Sequence, residues 1–192
     1  MTMLLTYPKP RPWSKAEYHQ AIDLGWFEGQ RAELINGEVL YMPPQHLPHS
    51  MAILLVERAL REAFGAEFMV RGQMPMIAGD RSEPEPDVAV VKGSIRDLKQ
   101  HPTTAELVVE ISESSLHFDR TRKAALYASC KVPDYWIINL AERQLEVRRN
   151  PVADRRKEFG HDYSELTIYQ PGDKAAPLAR PRNKIKIADL LP

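Results

Sequence analysis

Leu107-Val108-Val109-Glu110-Ile111 is an apolar run broken by a single carboxylate. A strand with one face in water alternates polar with apolar residues. This run is apolar at odd and even positions alike, the mark of a strand covered on both sides. It predicts a central strand, with other elements packed above and below it. Glu110 sits inside that strand, between Val109 and Ile111. An ionised carboxylate buried without compensation is costly, so Glu110 needs a cation, a hydrogen-bond network or a raised pKa. Two readings stand side by side: a buried salt bridge or a strand end opening to solvent, and a functional site of the kind where perturbed carboxylates cluster.

Upstream, Pro86-Asp87 leads directly into Val88-Ala89-Val90-Val91, a short apolar strand. Asp87 reads either as an ordinary strand-entry residue or as a second carboxylate at the mouth of a core strand. Lying side by side, the two strands would present Asp87 and Glu110 to one hard cation. Mg²⁺ takes one or two carboxylates, with waters and phosphate oxygens completing its shell. That is the chemistry of metal-assisted phosphodiester hydrolysis. Downstream, residues 116–130 read as a helix. Asp119, Lys123 and Tyr127 follow at i, i+4 and i+8 and share one face. Lys123 could set an ammonium beside a scissile phosphate, or be half of a plain surface pair with Asp119.

The remaining elements alternate in type. Ser14 to Glu17 is a capping box that opens a helix over about 15–24. Arg31 to Met42 reads as a hairpin around Asn36-Gly37, a type I′ signal. Glu33 in that hairpin is a third acidic ligand or a surface residue. Pro43, Pro44 and Pro48 mark a loop holding His46 and His49, with His49 at the start of a helix over about 50–65. His49 could position a phosphate or a water, or could cap or pack. The spacing of His46 and His49 is not that of a helical metal pair, which discounts zinc. Phe68 to Ile77 reads as a strand pair, Ile95 to Leu98 as a short helix, and Tyr135 to Leu140 with Gln144 to Arg149 as a hairpin. Further strands are expected at 166–169 and 185–187. The order predicts an α/β (α+β) fold, a mixed sheet with helices on its faces. It predicts one domain over 1–192, with an extended proline-bearing arm over 1–12.

Bulk properties limit the function classes. Lys and Arg total 26 and Asp and Glu total 26, so an overall basic excess cannot drive nucleic-acid binding. Arg148, Arg149, Arg155, Arg156 and Lys157 form a local basic cluster. Such runs are usually solvated, and if functional this one would grip a nucleic-acid backbone. The one cysteine, Cys130, precludes an intrachain disulfide or a thiolate zinc cluster. No stretch approaches the ~18 apolar residues of a membrane span, and 1–11 lack a signal-peptide pattern. A cytoplasmic protein without membrane association is expected.

Several segments together resemble one family. They are Ala32-Glu33-Leu34-Ile35-Asn36-Gly37-Glu38-Val39, His49 before a helix, Pro84-Glu85-Pro86-Asp87-Val88-Ala89-Val90-Val91, and Leu107 to Ser115. Asp119 to Lys123 to Tyr127 and Val132 to Ile138 follow. In this order, over about 13–150, the chain resembles the Uma-type restriction-endonuclease family of the PD-(D/E)-x-K nuclease superfamily. The resemblance implies a restriction-endonuclease-like fold with its site at one sheet edge. It implies Asp87 and Glu110 as ligands of Mg²⁺ or Mn²⁺, Glu33 as an accessory acid, and DNA as the substrate. The lysine of a Glu-x-Lys motif belongs at 112, where Ser112 stands, and Lys123 is the replacement that the resemblance offers. The expected activity is metal-dependent endonuclease cleavage of DNA, with Asp87, Glu110, Lys123 and Glu33 as catalytic residues and His49, Asp119 and Tyr127 in support. A homodimer would suit double-strand cleavage by symmetry. The rival class is a non-catalytic module that binds nucleic acid or protein on the same scaffold.

Overall fold

Six strands form one mixed sheet in the order β3-β4-β5-β6-β7-β8. The computed structural model describes residues 9–192. The strands are β3 (Phe68–Gly72), β4 (Val88–Lys92), β5 (Leu107–Ser112), β6 (Asp134–Asn139), β7 (Gln144–Ala153) and β8 (His161–Tyr169). Only β5 and β6 run parallel; the other neighbours are antiparallel. A parallel pair needs a crossover, and the helix over 116–129, here α3, supplies it. Two short hairpins lie outside the sheet: β1 (Ala32–Ile35) with β2 (Glu38–Tyr41), and β9 (Lys174–Ala175) with β10 (Ile185–Lys186).

Every residue of β5 is buried, as its two-sided apolar pattern requires. Val109 and Ile111 face α2 (Leu47–Phe64) with Val88, Val90 and Trp136. Val108 faces α3 with Ala89, Val91, Tyr135 and Ile137. α1 (Lys15–Asp23) starts at the expected capping box and packs Tyr18 against the first hairpin. In that hairpin Asn36 and Gly37 have φ of 51° and 80°, the pair of positive values that a type I′ turn demands.

Some boundaries differ from the sequence reading. α2 begins at Leu47, not Ser50. Pro48 lies in its first turn, where a missing N–H costs nothing, so His49 is helical rather than in a loop. Phe68 to Ile77 is not a strand pair, since only 68–72 form a strand and its partner is β4. Ile95–Asp97 is a 3₁₀ turn. β7 and β8 extend well beyond the expected 144–149 and 166–169. Of the expected arm, residues 1–8 lie outside the described residues, and 9–14 carry no regular structure. No helix among the described residues is long and apolar enough to cross a membrane.

Candidate active site

The β4–β5 register pairs Val88 with Val109. One step on, Asp87 stands opposite Glu110, and facing residues of an antiparallel pair project to the same side. That side carries α3. The site therefore lies where β4 begins, on interior strands rather than on the edge strands β3 and β8. Asp87, Glu110, Glu33, Asp119 and Lys123 are all buried polar residues. They line one cavity of about 160 Å³, together with Arg31, His49 and Glu85.

Glu110 is enclosed by donors. Its Oε1 accepts from the Lys123 ammonium at 3.1 Å and the Tyr127 hydroxyl at 2.5 Å, and its Oε2 accepts the Asp87 N–H at 3.2 Å. Burial pushes its carboxyl up, Lys123 opposes this, and the charges of Asp87, Asp119 and Glu33 add to the rise, leaving it at about 8. Burial also acts on Asp87. There the His49 hydrogen bond and charge, the Ile111 N–H and Lys123 outweigh it, so that carboxyl lies below its ordinary value. His49 Nε2 is 3.2 Å from Asp87 Oδ1, and Ile111 donates its N–H to Oδ2 at 2.8 Å. The two facing carboxylates are thus driven in opposite directions.

Lys123 reaches the strand end from α3. Its ammonium lies 2.7 Å from Glu33 and 3.1 Å from Glu110. Burial lowers its pKa, but Glu110, Glu33 and Asp119 raise it further, so the amine is held charged. Asp119, raised by burial against the pull of Lys123, accepts the Ser112 and Ser115 hydroxyls at 2.5 and 2.6 Å. Asp119 and Lys123 are therefore not a surface pair. Asp87, Glu110, Lys123, Glu33 and His49 come together here, with Asp119 and Tyr127 holding their neighbours.

Sequence reading missed Glu85, Arg31 and the serines. Glu85 lies two residues before Asp87 in the loop that leads into β4, and its carboxyl is raised by burial and by Glu33. Arg31, just ahead of β1, lies 3.9 Å from Glu85. No sequence pattern marked the pairing of Ser112 with Asp119. Four of the five residues of the basic cluster are in ion pairs, Arg149 with Asp134, Arg156 with Asp154, Lys157 with Asp162, and Arg148 with Glu146, and Arg155 is exposed.

The donor set bears on which metal could fit. No group of three or more His, Cys, Asp or Glu that could hold a metal occurs among the described residues. Of the carboxylates on this cavity, Asp87 and Glu110 face each other across β4 and β5, an oxygen donor pair of the kind that a hard cation such as Mg²⁺ or Mn²⁺ takes while keeping most of its waters.

The comparisons with known proteins agree with this architecture. No curated protein matches the chain. A crystal structure of "a putative nuclease belonging to DUF820" from Anabaena variabilis ATCC 29413 superposes with a TM-score of 0.65 at 14% identity. The match covers 84% of this chain and 89% of that one, and at this identity it establishes the shared fold. The profile of the family Uma2, described as "Putative restriction endonuclease", matches residues 16–179. That span takes in the β1–β2 hairpin, both carboxylate strands and α3, and the chain belongs to the Uma2 family.

Proposed function

We propose that the chain is a metal-dependent endonuclease that hydrolyses phosphodiester bonds in DNA. The observation that carries this reading is the meeting of Asp87, Glu110 and Lys123 on one cavity from three separate elements. Asp87 and Glu110 would hold Mg²⁺ or Mn²⁺. The bound cation supplies Lewis acidity toward the phosphate and lowers the pKa of a coordinated water. The chain's own residues do the rest. His49 and the Ile111 N–H orient the Asp87 carboxylate. Tyr127 and Lys123 hold Glu110. Lys123 keeps its positive charge beside the carboxylates, where it can stabilise charge developing on the phosphate. Glu33 is the second carboxylate holding that ammonium.

The test is cleavage of plasmid and linear DNA in Mn²⁺ or Mg²⁺ by wild type, Asp87→Ala and Lys123→Met. Cleavage by wild type is expected, with complete loss in Asp87→Ala and about 100-fold or greater loss in Lys123→Met. Undiminished cleavage by a folded Asp87→Ala protein would remove the assignment. A wild type that binds DNA without cleaving it would point to the binding-module reading.

A further inference from the structure

α3 is not a uniform helix. Leu116–Phe118 and Ala124–Ser129 are α-helical, and Asp119–Lys123 between them form a π-turn in which the Ala124 N–H donates to the Asp119 carbonyl. Such turns are rare and are retained where something holds them. Here the charged side chains of the turn leave for other partners, while the Thr121 hydroxyl donates back to the His117 carbonyl. Arg120 goes to Glu146 on β7, and Arg122 to Glu38 on β2 and to Glu158. Lys123 goes to Glu33 and Glu110. Asp119 goes back toward β5: Ser112, the strand's last residue, and Ser115, the N-cap of the helix itself, both donate to its Oδ2. The Asp119 carbonyl also accepts the Tyr135 hydroxyl at 3.0 Å.

Ser112 shares its face of β5 with Glu110. A lysine there would extend toward the same cavity. The serine instead gives its one proton to Asp119, and the ammonium returns from the helix four residues farther on. We propose that Asp119, clamped by Ser112 and Ser115, is a positioning residue: it pins the π-turn to the end of β5 and so aims Lys123 at Glu110 and Glu33. This rests on the reading of Lys123 as the working cation of the site. The core-packed half of the helix, with Ala124, Tyr127 and Ala128 in contact with the sheet, cannot rotate to compensate. With the clamp gone, the turn keeps the Arg120, Arg122 and Tyr135 contacts but loses its side-chain tie to β5, and it relaxes toward α geometry, in which each residue advances about 100° around the axis. Lys123 stands at that junction and loses its fixed aim.

The experiment compares wild type, Asp119→Ala, Asp119→Asn and the double variant Ser112→Ala/Ser115→Ala. Surface acylation with mass spectrometry reads the accessibility of each lysine, with Lys174 as the exposed reference. In Asp119→Ala, labelling of Lys123 rises about 10-fold or more while Lys174 is unchanged, since local opening exposes it without global unfolding. kcat falls about 100-fold, with KM and the Mn²⁺ dissociation constant within about 3-fold of wild type. Asp119→Asn keeps an acceptor oxygen for both hydroxyls and retains protection and turnover. Lys123 remaining protected in a folded Asp119→Ala protein would overturn the proposal. So would loss of Mn²⁺ binding in that variant, which would make Asp119 a ligand. If Asp119→Ala does not fold, the double serine variant decides by the same labelling. Labelling reads the position of Lys123 whether or not wild type cuts DNA, so failure of the nuclease reading and failure of the clamp are told apart.

Discussion

Asp87 and Glu110 hold each other through the backbone: the Asp87 N–H donates to Glu110 Oε2 at 3.2 Å, while the Asp87 carboxylate accepts the N–H of Ile111, next to Glu110, at 2.8 Å. Each carboxylate is therefore oriented by the other's strand before any ligand arrives. Preorganisation of this kind is what a cation site needs, because carboxylates already fixed lose little freedom on binding.

Calorimetric titration of Mn²⁺ into wild type and Glu110→Gln checks this first. Loss of even an outer-shell partner weakens metal sites by about 10–100-fold, so loss of a ligand carboxylate should weaken binding by at least that much. Mn²⁺ should also raise the Tm of wild type by mass action, and raise that of Glu110→Gln far less. Equal affinity in the two proteins would take Glu110 out of the ligand set.

Glu110 also makes stability depend on pH in a direction that can be worked out. Its folded pKa is raised to about 8 from an ordinary 4.5, chiefly by burial. Between those values the folded state binds a proton that the unfolded state has released, so unfolding free energy falls as pH rises through the window. The contribution is full below the unfolded pKa and lost as the pH passes the folded one. Glu110→Gln has no such proton. The stability of wild type relative to Glu110→Gln, from urea midpoints at about pH 5 to about pH 9, should fall steadily. A constant difference would mean that the carboxyl titrates normally.

The turn between β1 and β2 places Glu33, and Gly37 makes that turn. At its φ of +80° a side chain is strained, and an added Cβ would meet Pro12 Cβ at 2.4 Å. Trp13 also donates its N–H to the Gly37 carbonyl, tying the segment before α1 to the hairpin. Gly37→Ala combines a disfavoured backbone conformation with a clash against the Pro12 ring, and should cost about 2 kcal/mol or more. Urea denaturation measures it, and a cost near zero would show that the segment around Pro12 moves aside freely.

Local patterns made much of this molecule legible in advance. The two-sided apolar run around Glu110 gave a central strand, Asn36-Gly37 gave a hairpin, and Ser14 to Glu17 gave a helix start. The spacing of Asp119, Lys123 and Tyr127 gave a shared face, because these signals depend only on residues close in sequence. What was not legible depends on tertiary partners. Whether Asp119 and Lys123 paired on the surface or were buried against separate partners was decided by β1 and β5 arriving on the same side. The π-turn has no sequence signature, since its stability comes from Glu146, Glu38, Glu158 and Ser112 on other elements. β7 was underestimated past residue 149, where it is mostly exposed, and β8 before residue 166, where Tyr163 is the one apolar residue and no periodicity shows.

The basic run at 148–157 reads from sequence as a solvated charge run that would grip a nucleic-acid backbone if functional, and Asp134 shows why part of it is structural. Asp134 is fully buried. It accepts from Arg149 Nε at 2.8 Å and Nη2 at 3.2 Å, from Trp136 Nε1 at 2.9 Å, and from the Leu178 N–H at 2.8 Å. One carboxylate thus joins β6, β7 and the segment leading to β10. Asp134→Ala would strand three donors at once, one of them a guanidinium, and breaking a buried pair in this way costs about 3–5 kcal/mol. Removing both charges with Asp134→Leu/Arg149→Met should recover much of that loss, since apolar replacements of a buried pair are often close to neutral. Urea denaturation gives both numbers. Mn²⁺ binding should be unchanged in the double variant, because Asp134 lies at the start of β6 while Glu110 pairs farther along, opposite Ile137. If the double variant were instead fully stable yet bound DNA about 10-fold or more weakly at moderate salt, Arg149 would rejoin the nucleic-acid surface and the structural reading of this cluster would fail.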